Sequence, residues 1–114
     1  MEDRIVKLLL SLGIAPSLKG FRASVYAIEL GLKEPNVLDG ITKQLYPEVA
    51  KRLDTTASRV ERTIRHAVER MFEYQTYEKI VSTLGLETNS SKGKYTNSEF
   101  LSLCVMKLRN EVTA

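Results

Sequence analysis

YPEVAKRLDTTASRVERTIRHAVERM, residues 46–71, contains two helical patterns split by a three-residue turn. Pro47 suits the first turn of a short helix that runs to about Leu53, because its missing N–H is not needed there. Asp54-Thr55-Thr56 has side chains that bond the local backbone and reads as the turn. From Ala57 to Tyr74 apolar residues recur at three and four: Ala57, Val60, Ile64, Ala67 and Met71 fall on one face. A short helix, a turn of about three residues and a longer helix make the arithmetic of a helix-turn-helix. Small Ala50 lies where the helices approach, Val49 and Leu53 complete the inner face of the first, and Val60 and Ile64 pack onto them. Many such motifs have glycine in the turn. Here Asp54 must serve, a residue that tolerates the left-handed conformation better than most.

The flanking sequence is helical too. Ile5, Leu8, Leu9 and Leu12 predict a helix over about Glu2 to Leu12, ended by Gly13. Pro16 and Ser17 open a second, with Val25 and Ile28 inward and Gly31 at its end. Pro35 opens a short third helix containing Val37, Leu38 and Ile41. Tyr77 to Leu84, stopped by Gly85, follows the long helix. ETNSSKGK, residues 87–94, is polar and reads as a loop. Thr96-x-x-Glu99 is a capping box that starts a last helix, with Phe100, Leu101, Leu103, Cys104 and Leu108 on its inward stripe. The fold class is therefore all-α: a compact bundle of about six or seven helices around a helix-turn-helix. The 114 residues read as a single helical domain, 1–114.

Composition excludes several functions. There is one His, one Cys and no Trp, so a His-based metal or acid–base cluster cannot be built and no cofactor is expected. A lone thiol, Cys104, forms no internal disulfide and reads as cytoplasmic; in its apolar stripe it reads as a core thiol and not a nucleophile. No paired carboxylates, Gly-rich phosphate loop or nucleophile–base pair can be placed, so the chain does not read as an enzyme. No stretch approaches the roughly 18 apolar residues of a membrane span, and MEDRIVKLLLSLG has the wrong flanks for a signal peptide.

The net charge is +3, and the window Lys51–His66, with five basic residues and two acids, carries all of it. Such a local excess suits phosphate. On the outer side of the long helix, Arg62 and Arg65 are neighbours near its N-terminal half. A guanidinium fork matches guanine O6 and N7, and Glu61 can accept from a cytosine amino group. Thr55, Thr56, Ser58 and Arg59 stand at the helix start, where hydroxyls, free N–H groups and charge meet phosphate; Lys51 and Arg52 add sequence-independent attraction. Plainer readings compete. The charged face can be simply solvated. Glu61 can close a capping box with Ser58, or pair with Arg65 for only about 0.2–0.5 kcal/mol. His66 can meet phosphate or pack.

ITKQLYP (41–47), Ala50-Lys51 and TTASRVER-x-IRHA (55–67) together resemble the C-terminal DNA-binding effector domain of the stage-zero sporulation regulator A, the response regulator that starts endospore formation in Firmicutes. The resemblance extends to Leu12-Gly13-Ile14, Lys19-Gly20-Phe21, Gly93-Lys94, TNSEF (96–100) and Lys107-Leu108-Arg109. It implies a helical bundle that binds short promoter boxes in double-stranded DNA, often as tandem or dimeric copies, and regulates transcription by contacting RNA polymerase. It assigns base reading to Glu61, Arg62 and Arg65. Phosphate contact falls to Thr56, Ser58 and Arg59, with Lys51, Arg52, His66 and Lys94 beside them. It also assigns contact with a sigma factor to roughly Phe72–Leu86, and a nucleoid location. The receiver domain of such regulators has no counterpart here. The competing expectation is a helical protein-interaction module, or an antagonist with the same fold that acts without specific DNA binding.

Overall fold

The computed structural model describes residues 1–85 and 94–113. The predicted loop 87–94 lies outside these residues except for Lys94. Six α-helices occur in the described chain: α1 Glu2–Ser11, α2 Lys19–Lys33, α3 Tyr46–Leu53, α4 Ala57–Tyr74, α5 Tyr77–Leu84 and α6 Asn97–Thr113. The fold is all-α, and it wraps α1, α4 and α6 around α2.

The best-predicted boundaries are those with side-chain caps. Thr56 Oγ1 accepts from Arg59 N at 3.2 Å to start α4, and Thr76 Oγ1 accepts from Lys79 N at 3.1 Å to start α5. Gly85, at φ +74°, stops α5. The predicted box at Thr96 forms reciprocally: Thr96 N donates to Glu99 Oε1 at 2.9 Å, and Glu99 N donates to Thr96 Oγ1 at 3.1 Å.

Three expectations are corrected. The second helix begins at Lys19, past Pro16 and Ser17, and runs through Gly31 to Lys33. Gly31 is buried within α2 close to α6: a Cβ there would lie 3.0 Å from Val105 Cγ2. The short third helix is a 3-10 turn, Pro35–Asp39, followed by a π-helical turn, Ile41–Leu45, that leads straight into α3. Ile41 thus belongs to the approach to α3. Finally, Ser58 does not cap with Glu61. Extended Thr56 takes that role two residues earlier, so Ser58 already lies inside the helix.

Gly20, Ser24, Ala27 and Gly31 recur on α2 at four, three and four and are all buried. This small-residue stripe allows close backbone approach. A Cβ at Gly20 would sit 2.1 Å from the carbonyl oxygen of Thr63 and 2.8 Å from Ala67 Cβ, both on α4. The core around it contains Ile5, Leu9, Ile28, Leu45, Ile64, Met71, Phe100 and Leu108, each fully buried. Burial of such side chains is worth about 1.5–3 kcal/mol each. Cys104 lies in this core, and burial pushes its thiol far above the ordinary range. Among the described residues, no helix is long and apolar enough to cross a membrane.

Candidate nucleic-acid interface

The turn between α3 and α4 is set by hydrogen bonds that need a left-handed residue. Asp54 adopts φ 54°, ψ 53°. Its N–H donates to Lys51 O at 3.4 Å and the N–H of Thr55 donates to Ala50 O at 3.0 Å. These two bonds satisfy the last carbonyls of α3 and reverse the chain. Ala50 and Val49 are buried against α4, where Val60 and Ile64 are also buried, so the two helices cross at small and branched apolar residues.

With Val60, Ile64, Ala67, Val68 and Met71 fixed inward, the other face of α4 must be outside. Ser58, Arg59, Arg62, Arg65 and His66 are exposed and Glu61 is half-buried. The structure therefore gathers the sequence-predicted residues of α4 on one outward surface. His66 does not pack in the core. It borders a shallow depression with Lys19, Arg62 and Thr63. Arg65 Nε lies 3.7 Å from Glu61 Oε2, an exposed pair whose loss costs only about 0.3–0.5 kcal/mol. Either member can be drawn away by a stronger partner. Arg59 and Arg62 make no ion pair among the described residues.

The predicted residues on α3 separate. Lys51 is solvent-directed, its Nζ 3.8 Å from Glu48. Arg52 turns toward α2: its Nη1 is 3.2 Å from Glu29 Oε1 and its guanidinium stands 4.7 Å from the centre of the Tyr26 ring. It fixes α3 to α2 as well as adding charge. The Thr56 oxygen caps α4, while its O–H proton can still be donated.

A groove on one side of α4 is bounded by Glu61, Arg65 and Glu69 and, opposite them, by Lys94, Tyr95 and Asn97. Lys94 is exposed there. Phe72 and Tyr95 meet edge to face, ring centres 5.3 Å apart, and hold the segment carrying Lys94 against α4. Asn97, nearly buried, sends its Nδ2 to Tyr46 Oη at 3.0 Å and to the backbone oxygen of Glu61 at 3.1 Å. Burial raises the Tyr46 hydroxyl pKa and nearby Glu61 raises it further, against opposing effects of Asn97 and Arg65. This phenol is therefore neutral at physiological pH. Sequence reasoning missed this support. Asn97 stood in the quoted TNSEF run, but nothing in one sequence says that an amide there faces inward.

Sequence reasoning also missed Lys19 and Arg22. Both are exposed on the first turns of α2, and they share a concavity with Asp54, Arg59 and Arg62. Among the described residues, no cluster of three or more His, Cys, Asp or Glu is placed to hold a metal ion.

Residues 5–108 match the family model described as sporulation initiation factor Spo0A C terminal.

Proposed function

Because the chain belongs to this Spo0A C-terminal family, whose domains bind DNA in the control of sporulation, we propose that it reads short promoter boxes in the major groove with α4. The observation that carries the proposal is the outward face of α4: Arg62 and Arg59 are exposed and, among the described residues, without an ion pair, on the N-terminal half of a helix whose opposite face is core. Base readers in helix-turn-helix proteins come from that half.

In this reading Arg62 and Arg65 address guanine O6 and N7, and Glu61 accepts from a cytosine amino group. Arg65 leaves Glu61 on binding. Thr56, Ser58, Arg59, Lys51, Arg52, His66 and Lys94 meet phosphates and set register. Copies bind in tandem or as dimers on DNA, and the chain resides with the nucleoid. The stretch from about Phe72, in the last turn of α4, to about Leu86 is proposed to touch a sigma factor of RNA polymerase; Tyr74, at the end of α4, is 66% exposed.

Fluorescence anisotropy on a duplex carrying the family's promoter box, beside a scrambled duplex and across a salt series, tests this. Tighter binding to the box, weakening as salt rises, is expected. Equal and weak binding to both would reject base readout and favour a protein partner.

A further inference from the structure

We infer that the start of α2, through Lys19 and Arg22, is a further DNA contact that holds the phosphate backbone beside the helix-turn-helix; the inference rests on the proposed seating of α4 in the major groove. Neither residue lies in the helix-turn-helix segment, and the local charge of that segment does not reveal them.

The placement follows from packing. Gly20 presses the first turn of α2 onto α4 at Thr63, with no room for a side chain between them. Lys19 and Arg22, on either side of that contact, are thereby carried to the flank of α4 and open onto the same concavity as Arg59 and Arg62. Asp54 is the one acid among the residues lining it. None of the four cations has an ion pair among the described residues. Four positive charges against one acid leave a net positive hollow that attracts a dense line of negative charge.

The two sides of α4 are also complementary. Lys94 lies along the Glu61–Arg65–Glu69 side, and Lys19 with Arg22 lies on the side of the α3–α4 turn. A helix seated in the major groove, about 12 Å wide, has a phosphate strand on each side. The two cationic rims match that arrangement: Lys94 faces one strand, and Lys19 with Arg22 faces the other.

The test is the salt dependence of binding by the Lys19→Ala/Arg22→Ala double variant. Each phosphate contact contributes about 0.9 to the slope of log K against log salt. The slope should become shallower by about 1.8 for two contacts. Affinity for box and scrambled duplexes should fall by the same factor, leaving the preference intact. The charge-preserving Lys19→Arg/Arg22→Lys variant should retain the parent slope. An unchanged slope in the alanine variant overturns the inference, and so does an equal loss in the charge-preserving one. A thermal melt accompanies each variant; if the double variant does not fold, Arg22→Gln alone should remove about 0.9 from the slope. Failure of α4 to prefer the box is a separate result. The slope on scrambled duplex still decides whether α2 touches phosphate, and a parent chain that binds no duplex overturns both readings.

Discussion

Asn97 Nδ2 donates 3.1 Å to the backbone oxygen of Glu61, so the first residue of α6 holds the N-terminal half of α4 beneath its outward face. The same amide reaches Tyr46 on α3. One side chain thus sets both helices of the helix-turn-helix against α6. Asn97→Ala leaves the buried Tyr46 hydroxyl without this donor and removes the brace. It should cost about 1–3 kcal/mol of stability and reduce preference for the box more than affinity for scrambled DNA. Denaturant unfolding and paired anisotropy titrations measure the two effects.

Arg62→Ala and Arg65→Ala should each cost about 1–3 kcal/mol on the box and relax base preference, since in the proposed reading each removes a fork that addresses guanine. Their salt slopes should change little. If both variants lose box and scrambled DNA equally, these arginines do not read bases. Glu61→Ala is a useful companion, because it frees Arg65 from its 3.7 Å pair.

Lys51 and Arg52 are adjacent but not equivalent. Replacing either by Ala should weaken all duplexes alike. Only Arg52→Ala should also lower the melting temperature, because only Arg52 joins Glu29 and the Tyr26 ring on α2. An exposed cation–π contact with an added ion pair is worth about 0.5–1 kcal/mol. Equal melting temperatures for the two variants would refute the clamp.

Gly20→Ala and Gly31→Ala should differ in sign. Alanine is favoured over glycine inside a helix by about 1 kcal/mol. At Gly20 the new carbon would meet the Thr63 carbonyl oxygen at 2.1 Å. Backbone cannot yield there without moving α4, and overpacking of about 1–3 kcal/mol or more outweighs the gain. At Gly31 the nearest atoms are side-chain methyls of Val105 and Leu38, at 3.0 and 3.3 Å, which can shift. Gly31→Ala should be neutral or slightly stabilising by thermal melt, and Gly20→Ala clearly destabilising.

Asp54 combines a left-handed backbone with a negative charge in a cationic hollow. Asp54→Gly relieves the conformation but loosens the unfolded chain, so stability should rise by no more than about 1 kcal/mol. Affinity for any duplex should increase several-fold, as the acid opposing Arg59 and Arg62 is gone. Asp54→Asn tolerates the same backbone and isolates the charge effect. An affinity loss in both variants would show that Asp54 has a positive role on DNA.

The parts of the fold legible in the sequence were those with local chemistry. Ala57–Tyr74 and Tyr77–Leu84 agree with the sequence reading because Thr56 in the turn and Gly85 at the stop are sound boundary residues; the Thr76 cap shows only in the structure. The left-handed turn at Asp54 was readable for the same reason. What escaped depended on distant partners. Gly31 looks like a stop, yet it lies inside α2, packed close to Val105 on α6 and to Leu38. The 3-10 and π turns over Pro35–Leu45 are too short to show a period. At the candidate site, the charged window found the cations on α3 and α4. Lys19 and Arg22 stand more than thirty residues upstream of Arg59 and were brought there by Gly20.

The small-residue stripe of α2 has a thermodynamic consequence. Helices in backbone contact have no long side chains between them to reorganise, so in the proposed complex α4 and the start of α2 would meet the duplex as a preshaped body. Their ordering entropy is spent when the chain folds. Calorimetry of the association should then give a heat-capacity change that follows the apolar area covered at the interface, without the larger decrease that accompanies folding on contact.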